Sequence, residues 1–124
     1  MIDWAKWALP PHQKASVVRM YEAARDAYAR HLPDAEDAEC AASFWTAWHC
    51  TKTLALPQPL VRCAVALGVA PLSLMNRVAD YHDLECREPA LCARADVDFQ
   101  AACVRLTGAE LGPRRLRLIR GGRL

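Results

Sequence analysis

Two residues with metal-binding side chains, His82 and Cys86, are four positions apart, so one helix face could direct both toward a single Zn²⁺. Cys92 and Cys103 are possible third and fourth ligands. Structural zinc sites usually include a Cys-x-x-Cys pair, and this sequence has none. Dispersed buried thiols are therefore the favoured interpretation, and we expect neither a metal nor another cofactor.

Nucleophilic catalysis is the second chemistry that the residue types could support. His49 and Cys50 are neighbours, but adjacent helical residues point about 100° apart, so they do not form a base and nucleophile pair. Only three serines occur, none in a nucleophile elbow, and the chain has no glycine-rich phosphate loop. The sequence predicts no catalytic residues and no enzymatic activity.

Arginine is concentrated in the segment 113–124, which contains no acidic residue. Its five arginines are Arg114, Arg115, Arg117, Arg120 and Arg123. The net charge of the whole chain is +2, so the remainder without these arginines carries −3. A basic tail of this kind can follow DNA phosphates. The alternation of arginine and leucine over 115–118 suits docking on an acidic partner equally well, and both interpretations remain open.

Helices must position these residues, because Ala, Leu, Arg and Glu are abundant while β-branched residues are few and glycine is nearly absent before residue 108. Prolines and Asp34 mark the helix ends. The resulting prediction is a short turn and five helices, over 3–7, 11–33, 34–56, 60–67, 71–88 and 90–106. We expect an all-α, single-domain bundle over 1–112, followed by the Arg-rich C-terminal tail.

A bulky aromatic cluster in the second predicted helix is expected to enter the core. It consists of Phe44, Trp45 and Trp48. Phe44 and Trp48 are one helical turn apart, so both can face the interior together.

Gly68 is the only glycine in the first 107 residues, which indicates a local need for a positive backbone φ angle between two helices. The run 63–78 around it resembles the helix-turn-helix of bacterial and phage DNA-binding regulators. In that family a small residue precedes the turn glycine by four positions, as Ala64 does here, and apolar residues flank the turn. The apolar positions that fit are Cys63, Leu67, Val69, Leu74 and Val78. The motif would cover about residues 60–79.

This resemblance implies that the helix starting at Pro71 enters a DNA major groove. It would present three polar side chains to base edges or phosphates: Ser73, Asn76 and Arg77. Against this role, two apolar residues would share the DNA-facing side, Leu72 and Met75. Phosphates would also repel the acids on or just after this helix, which are Asp80, Asp83, Glu85 and Glu88. An ordinary helical hairpin with a glycine cap gives the same apolar spacing without DNA contact.

Two functions follow from these patterns. The first is a small DNA-binding transcriptional regulator, phage or mobile-element encoded, that acts as a homodimer on double-stranded DNA. It would use the Pro71 helix together with the tail residues Arg114, Arg115 and Arg117. The second is a small helical adaptor or inhibitor that binds a host protein through Leu72 and Met75, without DNA contact.

The sequence also bears on location. No apolar run approaches the roughly 20 residues that span a bilayer. The start Met1-Ile2-Asp3-Trp4 does not follow the basic and then apolar order of a signal peptide. We therefore expect a cytoplasmic protein without a membrane partner.

Overall fold

A computed structural model of the chain describes residues 4–111, so the arginine-rich segment 113–124 lies outside the described residues. Five α-helices make up the described part: α1 (Pro11–Ala29), α2 (Ala35–Trp48), α3 (Pro59–Leu67), α4 (Pro71–Arg87) and α5 (Pro89–Thr107). A short 3-10 turn, Trp4–Trp7, precedes them, and no strand occurs between residues 4 and 111. The prediction of an all-α fold with about five helices is confirmed.

The helices begin at the residues that the sequence marked. A proline occupies the first turn of α1, α3, α4 and α5, where its missing N–H would have no partner within the helix in any case. Asp34 caps α2, because its carboxylate accepts a hydrogen bond from the backbone N–H of Glu36 at 2.9 Å. Two helices, α3 and α5, begin one residue earlier than predicted, at the prolines themselves.

The end of the second helix differs from the prediction. α2 ends at Trp48 and is followed by a wider π-helical turn, His49–Thr53, where the N–H of Leu54 donates to the carbonyl of His49 at 2.9 Å. The N–H of Leu56 then donates to the carbonyl of Cys50 at 3.0 Å. These carbonyls accept from donors five and six residues ahead instead of four, so the α-helix cannot continue to residue 56.

The larger of two apolar clusters lies between α1, α2, α4 and α5. Four fully buried aromatic side chains form its centre: Tyr28, Trp45, Tyr81 and Phe99. The ring centroids of Trp45 and Phe99 are 5.1 Å apart. Phe44 and Trp48, expected in the core, are half-buried at its edge, where Phe44 stacks on Tyr81 at 4.8 Å. Trp45 alone of the three is fully buried, because successive helical residues point about 100° apart and the face that carries Phe44 and Trp48 lies at the rim.

The smaller cluster lies where α1, the π turn, α3 and α4 meet. Its buried members are Leu9, Val17, Cys50, Cys63, Ala64, Ala66 and Leu74. Because each of these elements contributes a buried side chain, the cluster holds α3 and the start of α4 against the rest of the bundle. Within residues 4–111, no single helix has the length and apolarity to cross a bilayer, although α3 and α4 taken together reach that composition across their bend.

Candidate nucleic-acid interface

The turn between α3 and α4 is built around Gly68, which has a left-handed backbone with φ +73°. Its N–H donates to the carbonyl of Val65 at 3.1 Å, and the N–H of Val69 donates to the carbonyl of Ala64 at 3.0 Å. This pair of bonds is the Schellman arrangement, which satisfies the last carbonyls of a helix and requires a residue that tolerates positive φ. The single early glycine therefore stands at the position that needs one.

The turn changes the direction of the chain sharply, because the axes of α3 and α4 are bent by 101° relative to each other. Leu74, on the first turns of α4, is fully buried in the smaller cluster together with Cys63 and Ala64 of α3. The small side chain of Ala64 allows the two helices to approach closely at that point. The crossing is thus fixed from inside by packing and at the turn by backbone hydrogen bonds.

The three polar residues that the resemblance assigned to DNA contact are not equally exposed. Ser73 and Asn76 are exposed on α4. Arg77 is half-buried and lines a shallow cavity of about 180 Å³ against α1, shared with Tyr21 and Leu67. Its positive charge acts to lower the pKa values of Tyr21 and Cys40, although burial raises both overall. Arg77 therefore sits between α1 and α2, at the border of the face that carries Ser73 and Asn76.

The outward face of α4 exposes more residues of low polarity than Leu72 and Met75, the two that were named from the sequence. Exposed residues recur at alternating spacings of three and four along it: Leu72, Met75, Ala79, His82 and Cys86. We call this set the α4 stripe. The exposed fractions of Leu72 and Met75 reach 68% and 51%. The heptad-like spacing was visible in the sequence, but only the packing shows which side of α4 is left uncovered.

Acidic residues accompany the α4 stripe. Asp80, Asp83 and Glu88 are exposed on or just after α4. Asp80 also faces the start of α2, where burial and the charges of Asp80 and Asp37 raise the pKa of the Cys40 thiol to about 11. Arg87 lies 3.8 Å from the carboxylate of Asp37. The second half of α4 thus presents several acids, whereas the outward face of its first half presents neutral polar and apolar groups with Arg77 at its border.

The four residues considered as a zinc set are not brought together. His82 and Cys86 are exposed on α4, where the His82 ring contacts Phe44 edge-on, while Cys92 and Cys103 are buried on α5. The Cys103 thiol contacts the sulfur of Met20 at 3.9 Å. Between residues 4 and 111, no group of three or more His, Cys, Asp or Glu side chains could hold a metal ion. The interpretation of most cysteines as buried apolar groups fits four of the six.

A buried histidine contact was missed by the sequence reasoning. His49, 2% exposed, places its Nε2 3.3 Å from the hydroxyl of Ser16 on α1. The Nδ1 atom of His49 is buried and has no hydrogen-bond partner among the described residues. The adjacent Cys50 side chain instead lies in the smaller cluster with Cys63, where the neighbouring Cys50 thiol and burial raise the pKa of Cys63. His49 and Cys50 thus have separate partners, and no sequence spacing links positions 16 and 49.

No protein-family model, curated protein or solved structure matches this chain. The interpretation of the site therefore depends on its own geometry. The tail residues Arg114, Arg115 and Arg117 lie outside the described residues, so the described part of the site is the α3–α4 pair and its exposed side chains.

Proposed function

We propose that the chain is a small DNA-binding transcriptional regulator that contacts double-stranded DNA through α4. The observation that carries this proposal is the 101° bend at left-handed Gly68, with Ser73 and Asn76 exposed on the first two turns of the second helix. Helix-turn-helix proteins cross their two helices at about 90–120° and read bases from the start of the second helix.

The exposed groups match the chemistry of base and phosphate recognition. An asparagine amide can both donate to and accept from adenine in the major groove, and a serine hydroxyl can donate to a phosphate. Arg77 borders the same face and has a side chain long enough to reach a neighbouring phosphate. The arginine-rich segment would add contacts to phosphates, through Arg114, Arg115 and Arg117.

The acids of α4 restrict how the helix enters the groove. Asp80 follows Ser73 by seven residues and Asn76 by four, which is roughly 10 Å and 6 Å along a helix. A docking in which the first two turns point into the groove and the rest of α4 is directed away from it therefore keeps Asp80 and Asp83 away from the phosphates. This orientation is the one that helix-turn-helix recognition helices adopt.

The test is selection of bound duplexes from random DNA, followed by affinity measurements on the selected site at low and moderate salt. Asn76→Ala should weaken binding to the selected site by about tenfold or more, since a bidentate amide contact to adenine is worth about 1–3 kcal/mol. Arg94→Ala removes an exposed charge from α5 and is the control. Absence of duplex binding at low salt, or equal affinity of Asn76→Ala and the unchanged chain, removes the support for this function.

A second function, a helical adaptor or inhibitor that binds a host protein without DNA contact, is favoured by one observation. Leu72 and Met75 expose large apolar side chains side by side, and such residues are common anchors of protein interfaces. Recovery of one stoichiometric protein by the immobilised chain, lost with Leu72→Asp and kept with Asn76→Ala, would favour this function. Loss through Asn76→Ala alone would favour DNA.

A further inference from the structure

The α4 stripe is a largely apolar surface with acids beside it, and no other helix of residues 4–111 covers its first two members, Leu72 and Met75. Leu72, Met75 and Ala79 are exposed to solvent, and the neighbouring Asp80 and Asp83 are exposed as well. Covering apolar side chains of this size is favourable, because it removes apolar surface from water. A partner for this surface should therefore combine apolar side chains with positive charge.

Another part of the same chain has that composition. The segment 113–124 contains five arginines, no acid, and the apolar residues Leu116, Leu118 and Ile119 between them. We propose that this segment binds the outward face of α4, with its leucines on Leu72 and Met75 and its arginines beside Asp80 and Asp83. The occupant is thus identified by charge complementarity and by the apolar residues that lie between its arginines.

The attachment point and the length of the segment allow this contact. Leu111 is buried, and its backbone N–H donates to the side-chain carbonyl of Gln100 at 2.7 Å, which anchors the chain just before the segment. The five to seven residues that lead from Leu111 to Leu116 and Leu118 extend up to roughly 17–25 Å. Leu111 lies in the same buried cluster as Tyr81 and Leu84 of α4. The segment therefore starts from the cluster on which α4 packs, and its leucines have to pass around one helix, about 10–12 Å across, to reach the outward face.

The alternative surface on the described part is less suitable. An open cavity of about 290 Å³ between α1 and α5 contains the acids Glu22 and Asp26. The same cavity is lined by three arginines, Arg19, Arg30 and Arg105. Their charge opposes a basic segment, and the apolar side chains at its edge are limited to Leu106 and two alanines. Among the helices of residues 4–111, α4 is the one that has exposed acids, Asp80 and Asp83, together with the large exposed side chains of Leu72 and Met75.

The proposed contact between segment 113–124 and α4 does not depend on DNA binding. Its effect on DNA binding rests on the proposed function. If α4 reads DNA, the segment and the duplex compete for the same helix face. Displacement by DNA would release the arginines toward the phosphates, so the segment would cover the interface in the free protein and add affinity in the complex. Tethering also favours the contact, because a short connection gives a local concentration of the order of 1 mM.

The experiment is a charge-swap cycle in the full chain, followed by amide chemical shifts of ¹⁵N-labelled protein. Arg114, Arg115 and Arg117 are changed together to glutamate in one variant, and Asp80 and Asp83 to lysine in another. Each variant alone should move the amide signals of residues 72–83 toward the positions seen at high salt. The combination of both should restore at least half of that change. Arg94→Glu, an exposed charge reversal on α5, is the control and should leave these signals in place.

Three results would overturn the proposal. In the first, the signals of residues 72–83 are identical in the unchanged chain and the segment variant. In the second, the segment variant moves signals lining the α1–α5 cavity instead. In the third, the α4 shifts vanish on dilution, which identifies a second copy as the occupant. Duplex binding is measured separately, so a chain that shows the charge-swap effect without binding DNA keeps this contact and loses the regulator function.

Discussion

The hydroxyl oxygens of Tyr28 and Tyr81 are 3.0 Å apart across the centre of the bundle, in a hydrogen bond between α1 and α4. Trp45 donates its indole N–H to Tyr28 at 3.0 Å, and Tyr81 donates to the carboxylate of Glu85 at 3.2 Å. Because Tyr81 uses its only proton on Glu85, Tyr28 is the donor of the shared bond. Burial raises the pKa of both phenols, so the chain of donors stays protonated and ordered at ordinary pH.

This directed chain predicts coupled losses of stability. Tyr81→Phe leaves the Tyr28 hydroxyl without an acceptor, and Tyr28→Phe leaves the Trp45 N–H without one. Each should lower the free energy of unfolding by about 1–3 kcal/mol, measured by urea titration. The double variant should cost less than the sum, because the two residues share one bond. Tyr21→Phe, at a half-buried tyrosine of α1, is the control, and strict additivity would contradict the chain.

Gly68 gives a second prediction, which separates the effect of its backbone conformation from the effect of the room available for a side chain. A methyl group built at Gly68 meets no atom within 4 Å, so its φ of +73° is the only obstacle to a side chain. Gly68→Ala should therefore lower the free energy of unfolding by about 1–2 kcal/mol. Gly68→Asn should cost less, because asparagine tolerates the left-handed region. Equal stability of all three proteins would show that the turn does not need positive φ.

His49 predicts how stability depends on pH. Burial lowers the pKa of His49 below its usual value of 6.5, so the unfolded chain binds the proton first as the pH falls. The stability from neutral His49 is full above pH 6.5 and is lost as the pH falls through 6.5 toward the folded-state pKa. The loss is about 1.4 kcal/mol for each unit between the two pKa values.

Urea titrations between pH 7.5 and pH 5 measure this effect, since they bracket about 6.5, the usual histidine pKa. His49→Gln should flatten the pH dependence in that range. His12→Gln, at an exposed position of α1, should leave it as it is. A curve for His49→Gln as steep as that of the unchanged chain would assign the dependence to other groups.

Leu72 and Leu74 allow a comparison of two leucines on one helix. Leu74 is fully buried in the smaller cluster, whereas Leu72 is 68% exposed. Leu74→Ala should cost about 2–5 kcal/mol of unfolding free energy, because it leaves a cavity between α3 and α4. Leu72→Ala should change stability by about 0.5 kcal/mol or less. Thermal unfolding of both variants decides the matter, and similar losses would mean that Leu72 is covered in solution.

The main elements of the fold were accessible from sequence because local chemistry determined them. Pro11, Pro71 and Asp34 set helix starts through backbone constraints that act within a few residues. Gly68 marked its turn for the same reason. The π turn after Trp48 was not accessible, because no proline, glycine or capping residue marks the change to wider hydrogen bonds at His49 and Cys50.

The candidate site was predicted in part. Ser73 and Asn76 are exposed as the helix-turn-helix resemblance required, but the half-burial of Arg77 depends on where α1 and α2 pack against α4. Periodicity shows that residues share a face and does not show which face a neighbouring helix covers. The contact between Ser16 and His49 joins two helices in the same way, so only the tertiary structure shows it.

Because of where the six cysteines lie, Cys86 is a suitable site for attaching a chemical label. Four thiols are shielded by the interior, and the pKa of about 11 keeps Cys40 almost wholly in its unreactive protonated form at neutral pH. Cys86, on the outer surface of α4, is left as the thiol that an added maleimide can reach. A fluorophore or spin label can therefore be placed on this helix in the natural chain, without first removing the other five thiols, to report directly on whatever approaches it.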